Sequence, residues 1–266
     1  DWYRSRGLGD VYKRQVNDHS NALIVETVRN LKDKGYFVAS AHRGEGSSDM
    51  TRYLEKQVDF FSRFNPINEK SLLKRAHKTI KGVGDQIKTL AAYSLEYCKP
   101  DVFVYSEGDK TNMADLVDVL VDPIITGTAD ITVASRTKES FKKYPWPQKF
   151  FERRFNRAAS RELGFEEDVD FVYGPKAYGN GLEGNLLEDF HSDFGTLIYG
   201  IARGVADSKM VQAVEVDGSP AADYLDKYGG NFDGVLGTAR HVYWRRMQNK
   251  GNFRGLKEGL ADGQLI

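Results

Sequence analysis

The chain has 266 residues, and its 38 Lys plus Arg balance 38 Asp plus Glu. That length suits one large α/β domain or two small ones and allows a substantial hydrophobic core. Zero formal net charge argues against a nucleic-acid partner, an aromatic content of 12% argues against disorder, and no apolar run approaches the roughly 20 residues of a membrane-spanning helix.

The single cysteine, Cys98, permits no intrachain disulfide, and no signal peptide is visible. Both features fit a cytoplasmic location, with any membrane contact peripheral at the inner face. Cys98 follows an apolar-patterned stretch and reads as a buried thiol rather than a nucleophile. Residues 1–15, DWYRSRGLGDVYKRQ, lack a fold-like period and resemble a translated adapter leader. They are set aside as non-native. On that reading the native chain is cut before about Val16 and its first strand is shortened.

Taken in order, Ile24, Val25, Val28 and Leu31 recur at helical spacing, with Gly35 as the stop. Residues 36–41 form a short apolar strand, followed by a turn rich in Gly and Ser. Residues 51–64 read as a helix ended by Asn65-Pro66, and residues 71–77 as a basic strand. Gly82 and Gly84 open a helix reaching about Tyr97. Residues 101–105 (DVFVY) are a strand. Asn112 caps a helix with the apolar face Leu116, Val117, Leu120 and Val121. Residues 130–134 are a further strand. Pro145 and Pro147 then punctuate a loop before a basic amphipathic helix over 148–163. A Gly-rich segment covers 174–184, a helix 194–205, a strand 211–216 and a basic helix 236–260. Strands alternating with helices predict an α/β fold, one domain with a mostly parallel sheet covered on both faces.

The turn Ser106-Glu107-Gly108-Asp109 follows a strand, and open α/β sheets bind ligands outside the carboxyl ends of their strands. Two carboxylates two residues apart can hold one divalent cation, and hard oxygen ligands suit Mg²⁺ or Mn²⁺. Such a cation would stabilise charge developing on a leaving diphosphate. The bland alternative is a solvated acidic turn. Glu45, Ser47 and Asp49 lie in a turn able to hydrogen-bond a base or ribose. Gly82 and Gly84 leave room for a diphosphate at a helix start. Arg136 offers a fork-shaped cation to a phosphate. Asp193, before the helix at 194–205, is a candidate general base or equally a helix N-cap. His191 is a candidate base or ligand, or an ordinary half-exposed histidine.

Four segments together resemble glycosyltransferase family 2, the inverting enzymes with an A-type nucleotide-sugar fold. Glu45-Gly46-Ser47-Ser48-Asp49-Met50-Thr51 is similar to that family's nucleotide loop. Lys81-Gly82-Val83-Gly84-Asp85-Gln86 is similar to its Gly-x-Gly helix start. The acidic turn and Ala129–Arg136, ending in Ser-Arg, follow in the same order. Asp170-Phe171-Val172-Tyr173-Gly174-Pro175-Lys176-Ala177 resembles the polyprenyl-phosphate hexose transferase branch. Counted back from the next helix, the family's two acids fall on Ser106 and Gly108, and a one-residue slip brings Glu107 and Asp109 there.

The resemblance implies a Rossmann-like A-type domain. Residues 16–136 would form its nucleotide-sugar half, 137–235 its acceptor half and 236–266 a helical tail. It implies hexose transfer from a nucleotide-diphosphate sugar to an acceptor sugar, lipid-phosphate or small molecule. Glu107 and Asp109 would hold the metal. Glu45, Ser47, Asp49, Gly82, Gly84 and Arg136 would line the donor site, while Asp170 and Asp193 would face the acceptor. A sugar nucleotidyltransferase and a non-catalytic nucleotide-sugar binding module are the alternatives. The segment 144–161, with Trp146, Phe150, Phe151, Arg153, Arg154 and Arg157, leaves two readings open. It holds a lipid-linked acceptor or membrane surface, or it packs its aromatics on the sheet with its arginines in water.

Overall fold

The computed structural model describes residues 18–42, 56–63, 83–106, 113–189, 194–218 and 235–263. Helix α1 (Asp18–Asp33) packs Val28 against Val38, with Ile24 and Leu31 alongside. Gly35, at φ +82°, closes it. The Gly35 N–H donates to Lys32 O and the Tyr36 N–H to Leu31 O, a pair that needs a left-handed residue at this point.

Strand β1 (Ala39–His42) pairs in parallel with β2 (Phe60–Arg63) as a separate two-stranded sheet. This corrects the expected helix at 51–64, of which residues 60–63 are strand. Asp59 explains the change. Its backbone N–H donates to Val38 O, its carboxylate accepts from the Val38 N–H, and Lys32 bridges to it at 2.8 Å. Those long-range bonds outweigh local helical periodicity, and aromatic residues favour an extended chain. The expected strand at 71–77 lies outside the described residues.

Helix α2 (Val83–Tyr93) passes into a single π-helical turn (Ser94–Cys98) that ends at Lys99 in the left-handed region. Cys98, expected to be buried, is half-buried, and its partial desolvation pushes the thiol pKa upward. Strand β3 (Val102–Tyr105) leads to α3 (Met113–Ile125), and β4 (Ile131–Arg136) follows. A short α4 (Lys138–Lys142) is capped by Thr137, whose hydroxyl accepts from the Ser140 N–H. Then come α5 (Trp146–Glu162), β5 (Lys176–Gly179), a 3-10 turn (Leu182–Gly184), α6 (Asn185–Glu188), α7 (Gly195–Ala206), β6 (Val211–Val216) and α8 (Val235–Gly263).

The main sheet has four strands in the order β3-β5-β4-β6. β4 and β6 pair in parallel, and β5 runs antiparallel to both β3 and β4. The fold is therefore α/β with a small mixed sheet, which corrects the expected mostly parallel one. The reversal comes from β5, inside the segment that reads from sequence as merely Gly-rich. Helices cover both faces, and alternation along the strands divides the core in two. Phe103, Tyr105, Ile131, Val133 and Tyr178 join the larger cluster with α2, α5, α7 and α8. Ala134 and Ala177 join the smaller one with Leu116 and Leu120 of α3. Central Thr132 is satisfied there by donating to Leu120 O at 2.8 Å.

Helices α7 and α8 lie unusually close. A side chain at Gly255 would meet the backbone of Gly195, and one at Gly259 would come within 2.6 Å of Tyr199 O. The Tyr199 hydroxyl donates to Asp262 across the same seam at 2.6 Å. Among the described residues, no helix is long and apolar enough to cross a membrane.

Two outcomes follow from this packing. Gly255→Val forces backbone apart and should lower the unfolding free energy by about 2 kcal/mol or more, read from urea melts. Burial raises the carboxyl pKa of Glu183, which accepts from the Ser94 hydroxyl at 3.0 Å. A folded pKa above the unfolded one favours the folded state at low pH, and that advantage is lost as pH rises. Glu183→Gln should therefore raise the melting temperature at neutral pH, with the difference vanishing below the ordinary glutamate range. A pH series of thermal melts checks this.

Candidate functional site

The carboxyl ends of β3 and β4 and the start of β5 meet at one edge of the main sheet, because β5 runs against its neighbours. Tyr105 pairs with Lys176, and Lys176 with Val133. Lys176 is wholly buried, and its ammonium donates to Tyr173 O at 2.8 Å and Gly174 O at 3.3 Å. It also lies 5.8 Å from the centroid of the Tyr105 ring.

Arg136 ends β4 with its side chain 2% exposed. Its Nε and Nη2 donate to the two carboxylate oxygens of Asp170, a fork-to-fork pair. Nη2 also donates to Glu152 at 2.6 Å. Three rings surround the guanidinium, with Tyr144 at 4.4 Å, Phe141 at 4.8 Å and Tyr173 at 5.1 Å from their centroids. Burial pushes the Arg136 pKa down, but the charges of Asp170 and Glu152 outweigh it and hold it well above its ordinary value.

The partners are themselves held. Asp170 accepts from Asn156 at 2.7 Å, and its backbone N–H donates to the Ser135 hydroxyl. Glu152 accepts from Arg245 at 3.0 Å, and Arg245 also donates to Gln148 and Gln248. The Tyr144 hydroxyl donates to Gly218 O after β6. Thus β4, α5, the segment before β5 and α8 all close on one buried charge cluster.

Two residues expected on different ligands, Arg136 toward the donor and Asp170 toward the acceptor, are bonded to each other. Gly84 sits inside the first turn of α2 and is buried. Glu45, Ser47, Asp49, Gly82, Glu107, Asp109, His191 and Asp193 lie outside the described residues. So does Asn112, while the apolar face predicted beyond it is buried as expected. Sequence reasoning missed Glu152, and Arg245, which invites the same two outward readings as the arginines of 144–161, is instead buried. The only signal for Glu152 was a charged residue on the inward face of an amphipathic helix, in line with Gln148 and Phe155. Among the described residues, no cluster of three metal-ligating side chains occurs. No protein-family model matches this chain, and no curated protein matches it.

Glu152→Ala leaves Arg136 and Arg245 buried short of a carboxylate, so it should destabilise by about 3–5 kcal/mol, measured by chemical denaturation. Glu152→Gln keeps the shape and should cost less.

Proposed function

We propose that the chain is an inverting glycosyltransferase resembling family 2, with the mixed sheet forming part of an A-type nucleotide-sugar domain. It would move a hexose from a nucleotide-diphosphate sugar to an acceptor hydroxyl with Mg²⁺ or Mn²⁺. One observation carries the reading. The Glu45–Asp49 loop, Gly82-Val83-Gly84, the Glu107–Asp109 turn and Ser135-Arg136 occur in the family's order; the turn comes after β3 in the sequence, Ser135-Arg136 ends β4, and the carboxyl ends of these two strands share one sheet edge. That edge is where open α/β sheets take ligands.

In this reading Glu107 and Asp109 hold the cation against the diphosphate. Glu45, Ser47, Asp49, Gly82 and Gly84 shape the nucleotide pocket, and Asp193 removes the acceptor proton as the hydroxyl attacks the anomeric carbon. The nucleoside diphosphate leaves in the same displacement. Arg136 and Asp170 act as a positioning pair. Their mutual bonds fix the end of β4 relative to the chain entering β5, so the wall of the pocket is rigid before ligand arrives.

A panel of UDP- and GDP-sugars with Mg²⁺ or Mn²⁺, read by calorimetric binding and diphosphate release, tests the proposal. At least one donor should bind and turn over. Asp109→Asn should abolish the metal dependence of donor binding with unchanged circular dichroism. Asp193→Asn should cut turnover by about 10²-fold or more while sparing binding. Binding without turnover would instead identify a nucleotide-sugar binding module, and no binding of any donor would refute both.

A further inference from the structure

Helix α5 turns one face inward, with Gln148, Glu152, Phe155, Asn156 and Ala159 buried. The opposite face carries Trp146, 60% exposed, and Phe150, 56% exposed, one turn apart. Exposed Arg153, Arg154 and Arg157 continue the same stripe at helical spacing. The aromatics of this helix are therefore split. Phe155 packs in the core, while Trp146 and Phe150 do not lie on the sheet.

Helix α8 repeats the arrangement. Tyr243 and Met247 are 66% and 48% exposed, and Arg246 and Lys250 are exposed beside them. The two helices pack in parallel register. Arg245 bonds Gln148 and Glu152, Asn249 donates to Phe151 O, and Phe253 meets Phe155 edge-on at 5.0 Å. Trp146 and Phe150 thus lie at the same end of the pair as Tyr243 and Met247.

Along the stretches that carry these aromatics, the sequence has charge of one sign only. Residues 140–151 and 235–257 contain no Asp or Glu. Arg157 bridges to Asp168 at 3.4 Å, further along α5, but among the described residues Arg153 and Arg154 have no ion-pair partner. The chain as a whole is neutral, so this is a local patch rather than a general excess of cations.

We propose that the outer faces of α5 and α8 at this end dock onto an anionic lipid bilayer. Trp and Tyr favour the headgroup boundary, where ring and polar tip are both satisfied. Arginine and lysine attract the anionic headgroups while their stems cover apolar surface. A nucleic acid or an acidic protein would use the cations but would leave two pairs of large apolar side chains in water. Binding would be peripheral and independent of glycosyl transfer, so either activity can fail without the other.

Sedimentation of the full chain with vesicles of phosphatidylcholine alone, or of phosphatidylcholine with phosphatidylserine, tests this. Binding is expected to the anionic vesicles only, weakening with salt. Emission should shift to the blue on binding, and Trp146→Phe should remove much of that shift. Arg153→Glu with Arg154→Glu should lower partitioning about tenfold or more. Trp146→Ser with Phe150→Ser, and separately Tyr243→Ser with Met247→Ser, should each weaken it with folding checked by circular dichroism. No binding to anionic vesicles, binding that all three double variants retain, or capture of an oligonucleotide in place of vesicles would overturn the proposal.

Discussion

The buried charge of Arg136 is the constraint around which the rest of this structure is arranged. A guanidinium that is 2% exposed is tolerable only if carboxylates and hydrogen bonds replace its water. Asp170 and Glu152 supply the charge, and the rings of Tyr144, Phe141 and Tyr173 supply the walls. The two carboxylates come from different elements. Satisfying one cation therefore fixes α5 and the segment before β5 against the end of β4.

Helix α8 enters through the same logic. Glu152 has two oxygens, and Arg136 takes one while Arg245 takes the other. A helix that could have been an appended tail is instead tied into the charge cluster at its upstream half. At its downstream half it is seated on α7 by glycines that let backbone meet backbone. Two unlike forces act on one helix. Electrostatics sets its register on α5, and close packing sets its distance from α7.

Much of the fold was legible because amphipathic periodicity survives in long elements. The apolar face of α3, the helix stop at Gly35 and the strand at 211–216 all follow from pattern and turn chemistry alone. The errors have one physical cause. β2 and β5 are four-residue strands, too short for alternation to declare itself, and both are fixed by distant partners. Asp59 meets Val38, and Lys176 meets Tyr105, across separations no local window spans. In the site, Arg136 and Asp170 were legible as individual charged residues at strand and loop ends. Their pairing was not, because charge type does not reveal which carboxylate 34 residues away will arrive.

The arginines on and around α5 are of two kinds, those that meet Glu152 inside and those that face outward. Glu152 faces inward because Arg136 and Arg245 meet it there, and the helix is rotated to keep that contact. The rotation has a consequence on the other side. With Gln148, Glu152 and Asn156 committed to the interior, positions 146, 150, 153 and 154 must face out at helical spacing. Two of those positions are large aromatics, so satisfying a buried charge exposes apolar surface. With no Asp or Glu in residues 140–151 or 235–257, that surface suits a boundary that is anionic outside and apolar within. The interior ion cluster and the outer docking face are thus two sides of one helix orientation.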